Sequence, residues 1–131
     1  MLKYVVVFVL IMHGLAHLSG LVGFLTSGPQ AFGDRPWIFS QGVTASSAVG
    51  KAWGVVWVVA ALGLVGAGLG LLFGQAWWPA LAIAAAAVSL VAIVPWLTVV
   101  PPGAWAGAAF DLLILIALLP PWSERVVATL S

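Results

Sequence analysis

Four long apolar stretches, separated by short polar or proline-containing breaks, run along the chain at about residues 4–25, 52–73, 77–99 and 104–119. A helix crosses the ~30 Å hydrocarbon layer of a bilayer with about 20 apolar residues, each adding about 1.5 Å. The first three stretches meet that length, and the fourth lies near its lower limit. The pattern predicts an all-α fold: an integral membrane four-helix transmembrane bundle, one domain over residues 1–131.

The breaks carry their own signals. Residues 26–51, TSGPQAFGDRPWIFSQGVTASSAVGK, form the one long break. It holds Asp34, Arg35 and Lys51, so it is too polar to cross. It also holds Phe32, Trp37 and Phe39, so it is too aromatic for a plain linker. An ordered loop cap over the mouth of the bundle is expected, between the first and second helices. The run GQA before Trp77 reads as a tight hairpin. The run VVPPG at residues 99–103 ends the third helix, because prolines have no amide to continue it. LPPWSER ends the fourth. Trp77, Trp78, Trp105 and Trp122 fall at span ends, where indole rings favour the interface.

Composition agrees with a lipid setting. Of 131 residues 64% are hydrophobic and 5% charged, against about 25% charged in soluble domains. The net charge of +1 includes no basic patch, so nucleic acid is not an expected partner. With no cysteine, thiol redox chemistry and cysteine-held metals are excluded. The first apolar run exceeds the 7–15 residues usual in a cleaved leader, and it carries both histidines, so it is expected to be retained as a helix. Lys3 and Arg125 lie with the termini, Arg35 and Lys51 with the long loop. The N-terminal amine tips the balance toward cytoplasmic termini.

Gly63, Gly66, Gly70 and Gly74 put small residues on the second helix, and Ala80, Ala84 and Val88 make a stripe on the third. Small residues let helices approach closely in lipid, so these positions are expected to serve helix packing, or else a dimerisation face.

The polar residues inside the spans then need explaining. They are His13, His17 and Asp111, with Ser19 and Ser89 as milder members. A carboxylate at the bilayer centre costs about 2.5–3.5 kcal/mol on insertion scales, so it must be neutral, paired or wet. His13 and Asp111 both fall near the middle of their stretches. His17 lies one turn beyond His13 on the same helix face. First and last helices of a four-helix bundle are often neighbours, so the three can meet near the midplane.

Three roles fit such a cluster. It can be a histidine–carboxylate hydrogen bond that fixes helix register. It can be a ligand or proton-transfer site that holds the carbonyl or hydroxyl of a quinone, a lipid or another apolar molecule. It can be a two-histidine, one-carboxylate metal site. No fourth strong metal ligand is visible, and a haem held between helices needs its histidines on different helices. Metal and haem therefore rank below the other two, and no cofactor is required. Trp53 and Trp57 form an i, i+4 pair near the start of the second helix, as interfacial packing or as aromatic walls for a flat ligand.

With HGLAHLSGLVGFL on the first helix, AWGVVWVVAALGL on the second, WWPALAIAAAAVSLVAIVPW on the third and AFDLLILIALL on the fourth, the chain resembles a family of small bacterial four-span membrane proteins. These begin with an HGLxHL motif. The likeness covers nearly everything outside residues 26–51, and its helix-one motif is the specific part. A looser architectural likeness is to bundles of the DoxX type, some linked to quinone-dependent oxidation. The resemblance implies a four-span architecture in the bacterial cytoplasmic membrane, and no reaction. In the family the last helix usually carries asparagine where this chain has Asp111. An asparagine bonds without titrating, which favours a hydrogen-bonded site over an obligatory acid–base role.

No complete catalytic set is visible. The expectation placed first is a small non-catalytic accessory or structural subunit, packed among other membrane protein subunits in the lipid bilayer. The alternative is a membrane enzyme or carrier that binds an apolar molecule such as a quinone at His13, His17 and Asp111. A channel fits poorly, since three polar residues do not line a continuous path.

Overall fold

The computed structural model describes residues 1–25, 35–36, 38, 42–98 and 103–130. Among them are five α-helices and no strand: α1 (Leu2–Ala16), α2 (Ala48–Leu72), α3 (Trp78–Ile93), α4 (Gly103–Leu118) and α5 (Ser123–Leu130). The segments Leu2–Leu25, Ala48–Leu72 and Trp78–Trp96 are each long and apolar enough to cross a membrane. α4 makes a fourth only if joined to α5, which leaves it at a 104° bend.

The helix ends follow local chemistry. α2 starts at Ala48, four residues earlier than the hydrophobic pattern predicts, because Ser47 caps it. The Ser47 Oγ accepts from the Gly50 amide at 3.2 Å. Lys51 therefore sits in the first turn of α2 and not in the loop. α2 ends at Leu72, and the chain turns through Gly74, whose φ of +65° is the left-handed conformation glycine adopts without a Cβ clash. The Gln75 amide donates to the Gly70 carbonyl at 2.8 Å and the Gly74 amide to that of Leu71 at 3.1 Å, a Schellman ending. Gly74 is thus a turn residue. Nothing lies within 4 Å of where its Cβ would be, so its assignment to helix packing is corrected.

α3 stops at Ile93 and tightens into a 3-10 turn, Val94–Trp96. Pro95 is the cause, since it offers no amide to an α-helical bond. The regular helix is therefore shorter than the expected 77–99, and residues 99–102 lie outside those described. α4 ends at Leu118, and at LPPWSER the chain bends by 104° into a further helix that the pattern does not predict. α5 follows, with Leu130 buried and Val126 and Val127 half-buried against the bundle. Of the expected loop cap, Phe32, Asp34, Trp37 and Phe39 lie outside the described residues.

α1 packs on α2, α2 on α3 and α3 on α4, in chain order. Close approach is built from missing side chains. A Cβ at Gly14 would stand 2.9 Å from the Ala61 carbonyl oxygen, and one at Gly20 would stand 2.4 Å from the Trp57 Cβ. These α1–α2 glycines lie outside the stripe that the sequence marks on the second helix. Gly63, Gly66 and Gly70 face α3 and its entry: their Cβ positions fall 2.8 Å from Ala85, 3.2 Å from Leu81 and 2.6 Å from Trp77. Ala85 meets Gly63 from the α3 side, and Ala82, Ala86 and Ala92 are buried on the same helix. By contrast α1 and α4 share few backbone approaches and meet mainly through side chains.

The core has two apolar clusters. One, with Leu10, Leu64, Leu71, Trp78, Ile114 and Leu118, fills the half nearer the termini. The other, with Phe24, Trp57, Ile93 and Trp96, fills the opposite half. Between them lies a polar layer.

Candidate functional site

That layer is His13 and His17 from α1 and its extension, Ser89 from α3 and Asp111 from α4. Asp111 and Ser89 are 0% exposed and His17 is 2% exposed. The His13 side chain is 10% exposed. The His13 Nε2 donates to the Asp111 Oδ1 at 2.9 Å. The Ser89 hydroxyl donates to the Asp111 Oδ2 in a short hydrogen bond. The His17 Nε2 lies 2.7 Å from the Ser89 Oγ. Three helices are therefore tied by one unbroken chain of bonds, from His13 through Asp111 and Ser89 to His17. A buried carboxylate is tolerable when donors reach both oxygens, and here they do.

Local structure presents each group. Gly107 makes room for His13, because a Cβ there would stand 2.9 Å from the His13 Cε1. Phe110 packs edge-on against the same ring, at a centroid distance of 5.3 Å. His13 and His17 are themselves edge-to-face at 4.9 Å, and His17 meets Trp57 the same way at 5.1 Å. At His17 the α-helix ends. The amides of His17, Leu18, Gly20 and Leu21 bond three residues back, at 2.9–3.1 Å, and the chain then widens into a π-helix over Leu21–Leu25. The tightening leaves the Ala16 carbonyl to the Ser19 hydroxyl, which donates to it at 2.7 Å. Irregular turns within a long helix recur at functional sites, where they re-aim side chains. The turn here begins at a polar-layer residue.

A cavity of about 230 Å³ adjoins the layer, lined by His13, His17, Ser19, Trp57, Ile93 and Gly107 among others. A cavity of ~150 Å³ holds a benzene ring, so there is space for one substituted six-membered ring and not for a long-tailed molecule entire. The Nδ1 of His17 is buried and has no hydrogen-bond partner among the described residues. Such a lone buried polar atom costs about 1–3 kcal/mol and calls for a reason.

Of the site residues expected from the sequence, His13, His17 and Asp111 come together. Ser89, only a mild candidate by sequence, is the link between His17 and Asp111. Trp57 lines the cavity. Trp53 does not, and its indole Nε1 donates to the Ala92 carbonyl on α3 at 3.3 Å, so its assignment to the ligand wall is corrected.

Donor atoms of His13, His17 and Asp111 lie within 4.8 Å of one another. One carboxylate faces the charge of a divalent ion, and the Nε2 atoms of both rings are already engaged. The set suits a hydrogen-bonding head better than a metal. Both histidines leave one helix, so they cannot approach a porphyrin from opposite faces.

Compared with models of protein families, with curated proteins and with solved structures, the chain finds no match.

Proposed function

We propose that this chain is a four-span integral membrane protein that binds an apolar small molecule with a polar head, of the quinone kind, at the His13–Asp111–Ser89–His17 layer. One observation carries this reading. The buried Nδ1 of His17 has no partner among the described residues, and His17 lines a cavity with room for one ring-sized head group. A cluster that only held helices together would gain from satisfying that atom. Beyond His13, His17 and Ser19 the cavity wall is apolar or small, and Trp57 presents an indole to a flat guest. The resemblance to bacterial four-span proteins adds the inner membrane as the place, and the N-terminal amine favours termini on the cytoplasmic face.

An accessory-subunit role ranks second. Its support is the glycine stripe, and Gly63, Gly66 and Gly70 are used within the chain against α3.

Native mass spectrometry of the protein, extracted from its membrane in a mild detergent, separates the two. A single chain or small homo-oligomer with added non-protein mass is expected, and Asp111→Ala should lose that mass. A particle far above 13.5 kDa that contains other polypeptides, with no small molecule, would sink the binding reading in favour of the subunit one.

A further inference from the structure

The bonds of the polar layer have a direction, and that direction selects the ligand. A carboxylate only accepts, so Asp111 takes the proton of the Ser89 hydroxyl at Oδ2 and that of the His13 Nε2 at Oδ1. A serine has one proton. With it turned toward Asp111, the Ser89 oxygen can only accept from the third member, so the His17 Nε2 carries the hydrogen of the 2.7 Å contact. A neutral imidazole has one N–H. The His17 Nδ1 is then a bare lone pair, and it is the atom left without a partner among the described residues.

We infer that the site is built for a hydrogen-bond donor: it takes the hydroxyl of a phenol or a hydroquinone in preference to the carbonyl of the matching quinone. This inference rests on the cavity being a ligand site. A hydroxyl satisfies the Nδ1 lone pair. A carbonyl places one acceptor against another and leaves both unsatisfied. Sites made to bond a particular hydroxyl reject analogues without it strongly, because the buried partner is then stranded. His17 lines the cavity and its Nδ1 is buried, so a guest bonds that atom only as the side chain shifts toward it.

The test uses the full chain in detergent micelles, under argon. Calorimetric titrations compare three probes of one shape: a short-tailed benzohydroquinone, the benzoquinone of the same substitution, and the hydroquinone dimethyl ether. The hydroquinone should bind about tenfold or more tighter than either partner. Ser89→Ala removes the group that directs His17, so the ratio of hydroquinone to quinone affinity should fall toward unity. Nitrogen-15 NMR of histidine-labelled protein without ligand should place the His17 proton on Nε2.

Equal binding of all three probes, or a proton on Nδ1, overturns the donor assignment and leaves the ligand site standing. No binding of any probe, with the Nε2 proton in place, overturns the ligand site instead. Should Ser89→Ala not fold, the three-probe comparison and the spectrum on the unaltered chain decide alone.

Discussion

Replacing Asp111 by alanine should act with opposite signs on two stages of assembly. On the four-span reading α4 enters the bilayer before it meets its partners, and its carboxylate then costs about 2.5–3.5 kcal/mol at the midplane. Removing it should improve insertion of this helix by about 3 kcal/mol. Once the helices associate, Asp111 is 0% exposed and accepts from both His13 and Ser89. Polar contacts between membrane helices contribute about 0.6 kcal/mol on average and about 1.7 at most. Both contacts end on a fully buried carboxylate, so the upper half of that range applies to each. The alanine variant should therefore lose about 2 kcal/mol of association, close to thirtyfold in the folding equilibrium. Insertion is read by placing the α4 segment in a host protein and scoring glycosylation on either side of it. Association is read by unfolding in increasing SDS. A cycle with His13→Ala should return a coupling of about 1 kcal/mol. If Asp111→Ala resists SDS better than the unaltered protein, the polar layer does not hold the helices together, and the reasoning fails.

Two further outcomes test the packing, and a third the cap. Gly14→Leu should cost more than about 3 kcal/mol in the same SDS unfolding, since its side chain meets backbone atoms of α2 that cannot move aside. Gly66→Ala should stay within about 1 kcal/mol of neutral, because its Cβ meets only the tip of Leu81 and alanine favours the helix. Ser47→Ala should lower stability by about 1 kcal/mol through loss of the bond to the Gly50 amide, and hydrogen exchange should quicken only in the first turn of α2.

The apolar lengths are legible in the sequence because a bilayer crossing sets a length, and long runs announce themselves. The polar layer is legible for the opposite reason: His13, His17 and Asp111 are the costly exceptions in those runs. What cannot be read is rotation. A helix that faces lipid on one side and protein on the other is apolar all round, so periodicity does not say which face turns inward. That is why Trp53 and Trp57, alike in sequence, part company, and why Gly74 stands out in the sequence while Gly14 and Gly20 do not. Ser89 carries a weak signal because a serine inside a helix usually bonds its own backbone; only the neighbouring helices reveal its second role. α5 is hidden because two prolines suggest an ending. They make a bend, and Ser123 starts a new helix after it.

The shortness of α4 has a bearing on the membrane itself. Sixteen residues of helix reach about 24 Å, less than the ~30 Å of an average hydrocarbon layer. The apolar spans beside it, Leu2–Leu25, Ala48–Leu72 and Trp78–Trp96, are longer, and α5 turns away at 104° at its end. On the four-span reading, a bilayer that fits α2 is too thick for α4, and it has to thin on that side of the protein or draw α5 down among the headgroups. Since α4 carries Asp111, the thickness of the surrounding lipid bears directly on the bonds of the polar layer. Lipids of different chain length then become a control on the site, acting from the solvent side without touching a residue.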